Sequence, residues 1–161
     1  LIVAETGFPW ANSTNLFGIP ATTNGQVQFL ATLAQILNSV PGGKGVGIFW
    51  WATEYQSLGG YNLAGFDRKS FFFSNGNILP VADAFGQLSA PIAMTATRSG
   101  SNLTLTWPMS GAAMRVARAT ALPPDASFAL IPILMPYTNG AFTATVPIAT
   151  NSAIFYRLQL K

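Results

Sequence analysis

With no histidine and no cysteine, acid–base and nucleophilic chemistry in this chain falls to five carboxylates: Glu5, Glu54, Asp67, Asp83 and Asp125. The missing imidazole excludes a Ser-His-Asp triad, and the missing thiols exclude disulfides and thiolate metal sites. Among the five, Glu5 has the most suggestive surroundings. It follows Leu1-Ile2-Val3-Ala4, an apolar run that reads as a strand buried on both faces, and precedes Gly7, Pro9 and Trp10, which break the strand into a loop. Glu is seldom buried without a partner, and at the carboxyl end of a parallel strand it points into the crevice where α/β sheets bind ligands. A carboxylate there with an indole beside it is a reactive-site arrangement. Glu54 and Tyr55 follow a second apolar run, Gly45–Trp51, and would end the neighbouring strand. Glu5 and Glu54 could then form a catalytic pair. The plainer alternatives are a salt-bridged Glu5 beneath the site and a solvated Glu54–Tyr55 loop.

The elements that must position these side chains alternate strand, helix, strand. Thr22 or Thr23 can cap a helix whose stripe is Val27, Leu30, Leu33, Ala34, Leu37 and Val40, and Pro41-Gly42-Gly43 ends it. Such a unit implies a parallel strand pair with a crossover helix. Trp50 and Trp51 are successive in a strand, so they face opposite ways; Trp50 is expected to pack on the helices and Trp51 to face the interior. Residues 56–77 read as loop, with Asp67 and Arg68 as loop-stabilising ions, the Phe71-Phe72-Phe73 cluster as a cover and an Asn-Gly turn at 75–76; a short helix with Pro80 in its first turn follows.

From residue 91 the period becomes two. Leu103–Trp107, Met114–Arg118, Phe128–Ile131, Phe142–Val146 and Ile154–Leu158 alternate, with turns at Gly100, Gly111, Pro123-Pro124 and Asn139-Gly140. Six or seven short strands of this kind predict a small antiparallel β-sandwich over residues 91–161. Two strand–helix units within residues 1–90 would leave apolar faces and edges uncovered. They therefore read as the last two βα units of a (β/α)8 TIM barrel, the remainder lying upstream of Leu1; a doubly wound sheet is the competing architecture. The fold class expected is thus α/β plus all-β.

Charged residues are only 8% of the chain, and the net charge of +3 is scattered, with Arg68-Lys69 the one adjacent basic pair. Neither a nucleic-acid stripe nor a polybasic membrane patch is expected. No run of 18 apolar residues occurs, so no membrane span is expected. Asn12 and Asn102 lie in N-x-Ser/Thr sequons, a pattern common by chance.

Several of these pieces resemble one family. Glu5-Thr-Gly-Phe-Pro-Trp10 is similar to the end of the seventh barrel strand of glycoside hydrolase family 53, the arabinogalactan endo-β-1,4-galactanases. Thr23-Asn-Gly-Gln26 with Phe29-Leu30 resembles the following helix start, Gly45-Val-Gly-Ile-Phe-Trp-Trp51 the eighth strand, and Asn75-Gly-Asn-Ile-Leu-Pro80 with Ala84-Phe85 the last helix. The resemblance covers roughly residues 1–88. It implies a retaining mechanism in which Glu5 is the nucleophile and the acid/base is a fourth-strand Glu upstream of Leu1, so that the fragment alone would not catalyse. Two carboxyl groups about 5–5.5 Å apart would share the work.

The resemblance also implies β-1,4-galactan as the partner, with Trp51 and Trp10 as stacking surfaces for pyranose rings and Glu54 and Tyr55 as contacts to sugar hydroxyls. One departure bears on this. Many members carry Trp-Glu-Pro-Ala-Trp after the eighth strand, where this chain has Trp51-Ala52-Thr53-Glu54-Tyr55, so Glu54 is displaced. Some members hold calcium in these loops. Asp67 is the one acid in 56–77, too few oxygen ligands for a hard cation, so no metal and no cofactor is expected here.

The later strands, with Leu103-Thr-Leu-Thr-Trp-Pro108 and Phe155-Tyr-Arg-Leu158, resemble small fibronectin-like modules of exported bacterial enzymes. That implies a secreted or envelope-associated parent. Two other readings stand beside the galactanase one: a non-catalytic carbohydrate-binding or envelope-anchoring protein with a degenerate barrel, and a related retaining β-glycanase acting on another glycan.

Overall fold

The computed structural model describes residues 1–11, 14–56, 63, 65–121, 127–148 and 153–160. Asn12, Asp125 and the Pro123-Pro124 turn lie outside them. The chain divides into two compact units, Leu1–Ser89 and Ala90–Lys161.

In the first unit, β1 (Ile2–Thr6) pairs in parallel with β2 (Gly47–Trp50), and α1 (Thr23–Asn38) connects them. Thr22 begins α1 as expected. Its backbone is extended, and its Oγ1 accepts the Gly25 amide at 3.0 Å, satisfying one of the donors a helix start leaves without a partner. The buried face of α1 runs Gln26, Leu30, Ala34, Leu37 at steps of three and four, so a polar residue heads an otherwise apolar stripe. α2 (Pro80–Gly86) packs on α1 through Val81 and Ala84, and a 3-10 turn at Gln87–Ser89 carries Leu88 beyond the helix.

Both strands differ from the sequence expectation. β1 includes Glu5 and Thr6, so Glu5 lies inside the strand rather than beyond it. Nor is either strand buried on both faces: Ile2 is 52% and Phe49 62% exposed. A two-stranded ribbon can be covered by its crossover helix on one side only. Trp50 meets Phe29 of α1 edge-on at a ring separation of 5.9 Å, while the other side of the ribbon stays open.

The second unit has two antiparallel sheets, ordered β3-β4-β8-β7 and β6-β5-β9. They are built from β3 (Thr95–Ser99), β4 (Asn102–Trp107), β5 (Met114–Ala119), β6 (Ala129–Leu130), β7 (Tyr137–Thr138), β8 (Ala141–Pro147) and β9 (Phe155–Leu160). Period-two alternation accounts for β4 and β8. Leu105 and Trp107 are buried directly opposite Ala144 and Phe142, and the Thr residues between them face outward. Trp107 stacks on Phe142 at 5.9 Å, and its indole N–H donates to the Gly111 carbonyl at 3.0 Å. Two strands escaped the sequence pattern. β3 is polar and exposed throughout, as an edge strand can be, and β7 is only two residues long. The Phe128–Ile131 segment shortens to a two-residue strand.

Candidate active site

The geometry around Glu5 begins with an irregularity. From Val3 to Thr6 β1 takes three residue steps, whereas its partner goes from Ile48 to Trp50 in two. This is a β-bulge, and it changes where side chains point. Val3 and Thr6 are paired with Ile48 and Trp50, the residues turned toward α1. Strict alternation from Val3 would send Glu5 to that covered side as well. With the extra residue, Ala4 and Glu5 are both exposed, and Glu5 lies on the open side of the ribbon with Phe49. Among the described residues Glu5 has no ion-pair partner.

The carboxyl ends of the two strands are joined beyond the bulge. The Trp51 amide donates to the Thr6 carbonyl at 2.6 Å. A Cβ at position 7 would lie 2.6 Å from the Trp51 carbonyl oxygen, so the approach requires Gly7. Trp51 is 48% exposed and its peptide to Ala52 is cis. Tyr55 meets the Trp51 ring edge-on at 6.4 Å and then Phe66 at the same separation, and Lys69 Nζ lies 4.7 Å above the Phe66 ring. Glu5 and the exposed Trp51 thus lie at the same end of the strand pair, and aromatic contacts continue from Trp51 through Tyr55 to Phe66.

The other expected residues are held differently. Glu54 is exposed, its Oε2 accepting from the Thr53 hydroxyl at 3.1 Å. Trp10 is half-buried against Phe73, ring to ring 5.4 Å edge-on, and its amide donates to the Arg68 carbonyl at 2.8 Å. Its indole N–H is buried and lacks a hydrogen-bond partner among the described residues. Trp50 is packing, as expected: it sits between Phe29 and Phe71 and donates from Nε1 to the Lys69 carbonyl at 2.7 Å. The phenylalanine cluster is less a cover than a set of wedges. Phe71 fits between Trp50 and Phe85, and Phe73 supports Trp10. At Asp67 and Arg68 backbone carbonyls tie the loop, Asp67 O accepting from Ser70 Oγ and Arg68 O from the Trp10 amide.

What the sequence reading missed is the buried polar clamp beneath the site. Gln26 is fully buried, and its Nε2 donates to the Phe8 and Ser70 carbonyls, each at 3.0 Å. Ser70, equally buried, donates from Oγ to the Phe72 carbonyl at 2.9 Å. One side chain on α1 thereby ties the loop after β1 to the loop after β2. A signal was available: Gln26 lies four residues before Leu30, on the apolar stripe, where a polar residue needs a buried partner.

The chain matches the model of glycosyl hydrolase family 53 over residues 1–85. Its curated relative in Niallia circulans, described as "Uncharacterized protein in bgaB 5'region", is 37% identical over an alignment covering 30% of this chain and 17% of that one. Among solved structures, a GH30 endoxylanase from Clostridium papyrosolvens aligns at 16% identity with a TM-score of 0.30, and a family 30 subfamily 8 xylanase from Clostridium acetobutylicum at 11% and 0.29. Each alignment covers 91% of this chain but only 39% and 40% of those proteins, and superpositions this partial carry no argument about the fold. The chain spans under half the length of each of these proteins. The family match takes in more than half of the chain, including the whole strand–helix–strand unit with Glu5 and Trp51: the chain belongs to glycosyl hydrolase family 53.

Proposed function

We propose that this chain supplies the nucleophile half of a retaining endo-β-1,4-galactanase, as the last two βα units of a (β/α)8 barrel whose acid/base Glu comes from sequence upstream of Leu1. The Glu5 carboxylate attacks the anomeric carbon while the glycosidic C–O bond breaks, and the leaving oxygen takes its proton from the second carboxyl group. Water then attacks the galactosyl ester, giving that carboxyl group its proton back and freeing Glu5, with the anomeric configuration retained. Trp51 and Trp10 stack on pyranose faces, and Glu54 and Tyr55 contact hydroxyls. The observation that carries the reading is the bulge, which turns Glu5 onto the open face at the carboxyl ends of a parallel pair. Family membership supports the reaction class.

The test is galactan cleavage by the full-length protein with Glu5→Gln. The reading expects a loss of about 10⁴-fold or more in kcat, the scale on which removing a nucleophile acts, and a 2-fluoro β-galactoside should leave a covalent mass shift on the peptide containing Glu5. Near wild-type cleavage, or a label on another carboxylate, would overturn it. A full-length protein that binds galactan but does not cut it would instead support the non-catalytic alternative.

A further inference from the structure

The second unit has an unbalanced charge. Its described residues include Arg98, Arg115, Arg118 and Arg157 and no carboxylate, since the one acid of that stretch, Asp125, lies outside them. Two of these arginines share a face of the β6-β5-β9 sheet. Arg115 stands opposite Gln159, and Arg157 opposite Ala117, so the arginines are diagonal neighbours with a spacing of about 7–8 Å. The central strand is small beneath them: Ala117 is fully buried and Ala119 5% exposed. Arg157 therefore reaches across it, and its guanidinium carbon lies 4.1 Å from the centroid of the Phe128 ring. Its Nη2 donates to Gln159 Oε1 at 2.9 Å, while Arg115 Nη1 is held by the Met114 and Ala112 carbonyls at 2.8 and 3.1 Å. Among the described residues both guanidinium groups are thus oriented by neutral groups, beside an aromatic ring and an amide.

We propose that this face docks an anionic polysaccharide, a glycan bearing uronate carboxylates. A guanidinium fork takes a carboxylate bidentately, Phe128 offers an apolar surface to the C–H face of the adjacent ring, and the Gln159 amide can serve hydroxyls. Charge number selects against other polyanions. Two arginines on a face are few for a phosphate backbone, whose affinity draws on many cations at once, and fewer than the clusters that hold anionic membranes. The inference does not rest on Glu5.

The experiment is calorimetric titration of the full chain with polygalacturonate, with its fully methyl-esterified form, and with single-stranded DNA and phosphatidylglycerol vesicles. Polygalacturonate should bind, and more weakly as salt rises. Arg115→Gln/Arg157→Gln should cost about tenfold or more in affinity, the worth of a charge-assisted hydrogen bond, while Arg98→Gln on the other sheet should cost little. Arg157→Lys keeps the charge, loses the fork, and serves if the double variant misfolds; its affinity should fall several-fold. Equal binding of the methyl ester, equal losses in Arg98→Gln, undiminished binding in Arg157→Lys, or tighter binding to DNA or vesicles would each overturn the proposal. Glu5→Gln should leave polygalacturonate binding unchanged, which separates this failure from failure of the catalytic reading.

Discussion

Replacing Gln26 tests whether the clamp beneath the site holds the two loops. Its Nε2 faces the Phe8 and Ser70 carbonyls at 3.0 Å and the Lys69 carbonyl at 3.4 Å, which fixes the amide orientation, because an oxygen there would meet only acceptors. Gln26→Met keeps the shape and removes both donors. Two buried carbonyls lose a partner, at about 1–3 kcal/mol each, and the relief of the unpartnered Gln26 Oε1 returns about one such amount. The net loss is about 1–3 kcal/mol. Because two units share the chain, local hydrogen exchange is the right assay. The amides of Phe71 and Leu79 donate to the Thr53 and Phe71 carbonyls, and their protection should fall roughly 5- to 140-fold, the loss converted at 1.4 kcal/mol per decade.

Gln26→Glu sharpens the prediction. Facing carbonyls, that carboxyl group is held protonated in the fold, so its folded pKa exceeds the unfolded value of about 4.3. Stability close to that of a neutral side chain is then present below pH 4.3. It is lost as pH rises, by about 1.4 kcal/mol per unit until the folded pKa is reached. Equal deficits for this variant at pH 4 and pH 7, each against wild type at the same pH, would refute the reasoning.

Gly25→Ala inverts the usual helix rule. The new Cβ would lie 1.7 Å from the Pro20 carbonyl oxygen, so we expect a loss of about 1–3 kcal/mol from overpacking, read as lower exchange protection along α1. Gly86→Ala in α2 meets nothing within 4 Å and should be neutral or stabilising by up to about 1 kcal/mol. In the second unit, burial raises the pKa of Tyr137 above its ordinary value of 10.0. Its contribution is therefore intact below pH 10 and falls away as pH climbs through the raised value. Tyr137→Phe should flatten that alkaline decline in urea titrations followed by Trp107 fluorescence.

The elements with strong local signals were readable in the sequence. The Thr22 cap, the stop at Pro41, the packing of Trp50 and the Leu105/Trp107 alternation all follow from local rules, and each is where those rules put it. What could not be read depends on pairing partners. An apolar run such as Leu1–Ala4 announces burial, but whether both faces are covered is decided by neighbours, and here only one is. The extra residue of β1 exists only relative to β2, so no inspection of Ile2–Thr6 alone could find it. The wedge made by Phe71 is likewise tertiary, built across gaps of 14 residues or more.

The bulge stores the aim of Glu5 as a count rather than as a residue type. Ala4 is exposed, yet the number of residues between Val3 and Thr6 decides which side of the ribbon carries the charge. Substitutions at position 4 that keep the backbone path should therefore be forgiven. Deleting that residue would leave every side chain of the site in the sequence while rotating the carboxylate into the apolar layer under α1. Lineages carrying this segment should thus tolerate spelling changes here and reject changes of length.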